Sequence, residues 1–139
     1  MPTVFSRIIA GEIPGTFVWR DDRCVVFMSI NPMARGHALV VPIEEVDHWI
    51  DAAPDLVAHL FEVTRVIGLA QQAAFRPQRI GVIVAGYEVP HLHVHAIPTE
   101  AMSQLSFANA AASVDRDDLE RAAEAIRGEL RAMGRSEVV

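Results

Sequence analysis

The chain has 139 residues, 51% of them hydrophobic, enough for one packed core but not two. Its net charge is −6 and all twelve cations are arginine, so Walker-lysine and Schiff-base chemistry are excluded, and the scattered arginines argue against a nucleic-acid face. A single cysteine, Cys24, excludes an internal disulfide and paired-cysteine metal motifs. No run approaches the roughly 18–20 apolar residues of a membrane helix, and residues 4–10 lack a secretion-signal pattern. The expectation is a cytoplasmic protein with neither membrane nor nucleic acid as partner.

In chain order, residues 4–9 read as a short helix ending near Gly11, with Pro14-Gly15 as a turn. Residues 17–20 and 24–28 read as two strands of a hairpin around Asp21-Asp22-Arg23. Asn31-Pro32 forces a turn, and residues 37–42 make a third strand. Leu56, Leu60, Val63 and Ile67 recur at helical spacing, which predicts a helix over 54–75 with Pro54 in its first turn. Residues 79–85 are almost wholly apolar and read as a central fourth strand. A tight connection at 86–90 leads to a fifth strand, 91–97, stopped by Pro98. A last helix starts near Asp115, carries Leu119, Ala122, Ala123, Ile126, Leu130 and Met133 on one stripe, and stops at Gly134. Strands grouped around one long helix, with hairpin-length connections, point to an α+β antiparallel sheet.

The chemistry lies at His91, His93 and His95. Alternate residues of a strand share a face, so the three imidazoles belong together while Leu92, Val94 and Ala96 face a helix. Histidine titrates near neutrality and serves either as a neutral nucleophile or as a donor to phosphate oxygens. Three together can divide those tasks, as covalent phosphoryl or nucleotidyl transfer requires. Two other readings stay open: packed core histidines, and a zinc site to which Glu88 adds a carboxylate. His48 and His59 read as surface or packing residues.

The run His91-Leu92-His93-Val94-His95-Ala96-Ile97 resembles the signature of the histidine-triad (HIT) superfamily, in its Hint-like branch. Phe5-Ser6-Arg7-Ile8-Ile9-Ala10-Gly11-Glu12-Ile13-Pro14, Phe27-Met28-Ser29-Ile30-Asn31-Pro32 and Gly36-His37-Ala38-Leu39-Val40-Val41-Pro42 resemble its other motifs, in order. Together they cover residues 4–98. The resemblance implies one HIT domain over 1–139 with a C-terminal helical extension at about 113–134. It also implies a homodimer whose two five-stranded sheets join into ten strands. His93 would attack the α-phosphorus of a purine nucleotide or nucleoside phosphoramidate and form a nucleotidyl-histidine that water hydrolyses. His91 would orient it, and His95 and His37 would line the phosphate site. Val4, Phe5, Ile8, Phe27, Met28, Ser29, Ile30, Glu88 and Val89 would hold the nucleotide. No metal or other cofactor is required.

Several positions depart from the family pattern. Ser29 stands where a ribose-gripping Asp is frequent, Tyr87 where a Gln follows Gly86, and Glu88 where a hydroxyl residue is expected. Ile80-Gly81 occupies the neighbourhood of a frequent Asn. Thr3 and Ser6 stand where some relatives carry a zinc-binding cysteine pair. A carboxylate at Glu88 aimed into the site would repel phosphate and raise the pKa of nearby histidines. The alternatives are therefore a nucleotide-binding dimer without turnover and, third, a zinc-dependent hydrolase.

Overall fold

A computed structural model describes residues 2–139. The elements are helix α1 (Val4–Ile9), strands β1 (Phe17–Arg20), β2 (Cys24–Met28) and β3 (Ala38–Pro42), helix α2 (Pro54–Phe75), strands β4 (Arg79–Ile83) and β5 (Val94–Thr99), and helix α3 (Arg116–Ala132). Short 3-10 turns lie at Trp49–Asp51, Met102–Gln104 and Phe107–Asn109. The five strands form one antiparallel sheet in the order β1-β2-β3-β5-β4.

Strand alternation divides the sheet into two unlike faces. Val26, Met28, Val40, Val94 and Ala96 point to one side, where Leu60, Ile67, Ile126 and Leu130 of α2 and α3 complete the main core. Val25, Phe27, Leu39 and Val41 point to the other side, where α1 covers only part of the face through Phe5 and Ile8. That half-covered face leaves room for a site.

Three expectations are corrected. β4 is an edge strand with Val82 45% exposed, not a central one. Its apolar residues belong to a strand with a single hydrogen-bonded neighbour. β5 begins at Val94, so His91, in a bend, and His93 precede the paired region, and only His95 sits in the ladder opposite Leu39 and Ile83. Pro98 does not stop the strand but pairs with Ile80. β3 contributes no partner beyond Ala96, so one side of β5 is free at Pro98 and the missing N–H is tolerated there.

Candidate active site

The two segments that carry His37 and His95 are tied together from the core side. Gln71, fully buried on α2, donates through Nε2 to the carbonyls of Gly36 and Ala96, both at 2.9 Å. It thereby ties the residue before His37 to the residue after His95. Gly36 has φ +92°, and a Cβ there would lie 2.4 Å from the Phe75 ring, so only glycine suits this turn. On the open face Phe5 meets Phe27, His91 and His93 edge-on, with ring centroids 5.4, 5.8 and 4.9 Å away.

The histidines lie in two linked groups whose hydrogens follow from their neighbours. The Met33 N–H donates to His37 Nδ1 at 3.0 Å, so His37 carries its hydrogen on Nε2. That nitrogen donates to His95 Nδ1 at 2.9 Å, which places the His95 hydrogen on Nε2. His95 Nε2 is buried and has no hydrogen-bond partner among the described residues. A buried N–H left unpaired is costly, and an anionic oxygen is its natural acceptor. In the second group His93 Nδ1 donates to the His91 carbonyl at 2.6 Å, leaving His93 Nε2 as a bare lone pair. His91 Nε2 donates to the Pro42 carbonyl at 2.7 Å and Nδ1 accepts from the Thr3 hydroxyl at 2.6 Å, so both its nitrogens are occupied. The His93 and His95 rings join the groups with centroids 4.9 Å apart.

Burial favours the neutral form of three of these imidazoles, His37, His93 and His95. It pushes His37 down to about 4, with the nearby His93 adding to the effect. It pushes His95 down to about 3, helped by His93 and His37. His93 is lowered as well, chiefly by burial; its bond to the His91 carbonyl and the charge of Glu88 pull upward without prevailing. The expected upward shift from Glu88 is thus present but outweighed.

A cleft of about 1330 Å³ opens over this face. Val4, Phe5, Ile8, Phe27, Met28, Ser29, Ile30, Glu88 and Val89 all line it, as do His37, His93 and His95. His91 does not; it lies fully buried behind them. The far wall went unread in the sequence. Phe107 stacks edge-on against His95 at 5.3 Å, and Ala110, Ser113, Val114, Arg116 and Asp117 continue the rim. Their stretch of small residues has no helical or strand period to reveal it. The Ser29 hydroxyl accepts from the Asn31 N–H at 3.2 Å, so its own proton is free for a ligand.

A second cluster lies away from the cleft, where Asp21, Cys24 and His59 bring ligand-type atoms within 4.8 Å of one another. Asp21 there accepts from the Trp19 and His59 side chains and from the Arg23 and Cys24 N–H groups, while burial and that carboxylate hold the Cys24 thiol protonated. This is a hydrogen-bonded turn that fastens α2 to the β1–β2 hairpin, and His59 is a packing residue within it.

Comparison with known proteins identifies the fold and the family. An uncharacterized HIT-like protein of Helicobacter pylori is 36% identical over 98 residues, covering 68% of this chain and 93% of that protein. One from Methanocaldococcus jannaschii is 33% identical, covering 68% and 77%. Among solved structures, a hypothetical histidine triad nucleotide-binding protein from Sulfolobus tokodaii superposes with a TM-score of 0.83 at 26% identity, over 94% of this chain and 93% of that one. A Zn-bound histidine triad family protein from Mycobacterium smegmatis gives 0.81 at 25%, over 94% of both chains. The HIT domain family model matches residues 10–102, and this chain, an α+β HIT fold, belongs to that family.

Proposed function

We propose that the cleft binds a purine nucleotide or nucleoside phosphoramidate and that His93 transfers its nucleotidyl group. The observation that carries this reading is the division of ring nitrogens. His93 Nε2 is a bare lone pair, while the neighbouring His95 Nε2 is a buried donor without a partner. In the first step His93 Nε2 bonds to the α-phosphorus and the P–N bond to the amine breaks, the amine taking a proton from solvent water in the cleft as it leaves. The His95 N–H holds a phosphoryl oxygen as charge gathers on it. Water then attacks the nucleotidyl-histidine, releasing the nucleoside monophosphate and restoring His93.

The apolar wall of Val4, Phe5, Ile8, Phe27, Met28, Ile30 and Val89 suits a base and ribose, with Ser29 offering its hydroxyl proton to a ribose oxygen. The Sulfolobus tokodaii neighbour, a histidine triad nucleotide-binding protein by name, supports the nucleotide class. A homodimer belongs to the same proposal. The outer edge of β1 is closed by the C-terminal residues through the Trp19–Val138 bridge and the Arg20–Glu137 bond, whereas β4 has no second strand beside it among the described residues. Sedimentation at micromolar concentration is expected to give twice the chain mass.

One observation favours a second reading, binding without turnover. Glu88 lines the cleft near His93 and opposes a phosphate there. A zinc-dependent hydrolase fits less well, because catalytic zinc takes three protein ligands, only His93 Nε2 and His95 Nε2 are uncommitted in the triad, and Glu88 does not gather with them into a three-ligand cluster among the described residues. The experiment is turnover of a fluorogenic adenosine phosphoramidate by wild type and His93→Ala, with and without chelator. Turnover that needs His93 and ignores chelator supports the enzyme. Equal inertness with retained nucleotide binding moves the conclusion to the second reading.

A further inference from the structure

His91 is fully buried behind the cleft, yet its surroundings are polar. Its ring is held at both ends, by the Pro42 carbonyl on β3 and by the Thr3 hydroxyl ahead of α1. Thr3 is in turn fixed on three sides. Its N–H donates to Glu45 Oε1 at 2.9 Å, and its Oγ1 accepts the Ser6 N–H at 3.1 Å as the cap of α1. Its single hydroxyl proton goes to His91 Nδ1 at 2.6 Å rather than to Ser6 Oγ at 3.4 Å. Ser6 Oγ sends its own proton to the same Glu45 oxygen, at 2.5 Å. Three segments distant in sequence, residues 3–6, 42–45 and 91–93, are thus joined at one ring.

That ring does not face the cleft, so its effect on chemistry passes through its backbone. The His91 carbonyl is the acceptor that fixes the His93 hydrogen on Nδ1. The ring, bonded at both ends, anchors the main chain of residue 91 and with it that carbonyl. Without the Thr3 hydroxyl, His91 Nδ1 becomes a buried acceptor with no donor, and relief comes from a changed tautomer or a rotated ring. Either change breaks the Pro42 bond and releases that anchor; where the main chain of residue 91 then shifts, His93 divides between two tautomers, one of which has no lone pair on Nε2.

We propose that Thr3 is a positioning residue for His93, acting through the doubly bonded His91 ring and held in register by Glu45. The inference rests on His93 being the nucleophile.

The test compares wild type, Thr3→Val and Thr3→Ser by nitrogen-15 NMR of the histidine rings above pH 7.5 and by steady-state kinetics on adenosine 5′-phosphoramidate. Wild type is expected to show His93 protonated on Nδ1 alone. Thr3→Val should give mixed His93 tautomers and a kcat lower by roughly 10–100-fold, with KM within about twofold of wild type. Thr3→Ser, which keeps the donor, should restore both. Glu45→Ala is the second variant, available if Thr3→Val unfolds; it should shift the His93 signals in the same direction by less. Unchanged His93 tautomers in a folded Thr3→Val or Glu45→Ala protein, a loss confined to KM, or no rescue by serine overturns the proposal. Inert wild type would sink the proposed function, while the tautomer comparison would still decide the role of Thr3.

Discussion

His37 Nε2 lies 2.9 Å from His95 Nδ1, and this one contact decides which end of His95 faces the cleft as a donor. The Met33 N–H sets His37, His37 sets His95, and the last hydrogen in the chain is the one without a partner. A main-chain group in the loop before β3 therefore prepares the site for an anion.

Replacing His37 by leucine removes the donor and leaves His95 free to change tautomer. Turnover is expected to fall roughly 10–100-fold, less than for loss of a group that itself holds the developing charge. Steady-state kinetics at pH 7.5 check this, and wild-type rates in His37→Leu would show that His95 needs no such setting.

The buried neutral histidines make stability depend on pH. His37 and His95 titrate at about 4 and about 3 in the folded chain, against about 6.5 when unfolded. Below pH 6.5 the unfolded chain takes up protons that the folded one refuses, so stability falls as pH falls, and above it these groups contribute no slope. Each loses roughly 1.4 kcal/mol per pH unit, so together about 4 kcal/mol disappears between pH 7 and pH 5. Urea unfolding at pH 7, 6 and 5 measures the slope, and the double variant His37→Phe/His95→Phe should flatten most of it.

Gly36→Ala is expected to destabilise the fold by about 2–4 kcal/mol. It forces a positive φ on alanine and drives its methyl into the Phe75 ring. Because His37 is the next residue, the surviving folded protein should also lose turnover. Thermal unfolding read beside kinetics separates the two effects.

Ser29→Asp should tighten nucleotide binding by about tenfold, because an ionised acceptor replaces a neutral hydroxyl on the cleft wall. The aspartate can still accept the Asn31 N–H. Calorimetric titration with AMP gives the comparison, and unchanged affinity would mean that the ribose lies elsewhere.

Much of the frame was legible because local rules and packing agree. α2 runs over Pro54–Phe75 as its leucine and valine spacing required, and α3 is capped by the Asp115 side chain on the Asp118 N–H. β4 misled because a short apolar run looks alike in the middle and at the edge of a sheet. Pro98 misled because its effect depends on whether a partner strand lies on the side of the missing N–H, which only the sheet order reveals. At the site, alternation placed Leu92, Val94 and Ala96 against the core. The same rule could not tell that His91 would lie behind the cleft rather than in it, since His91 and His93 precede the ladder. Phe107 and the segment around it stayed hidden, because their place over His95 is a matter of tertiary packing alone.

The central claim is that His93 bonds covalently to phosphorus, and mass spectrometry of the protein mixed with a nucleoside phosphoramidate and quenched in alkaline denaturant tests it most directly. The expected result is a transient mass gain of one nucleotidyl group, mapped to the peptide holding His93, labile to acid and absent in His93→Ala. Steady turnover by wild type and His93→Ala alike, with no adduct on either, would contradict it.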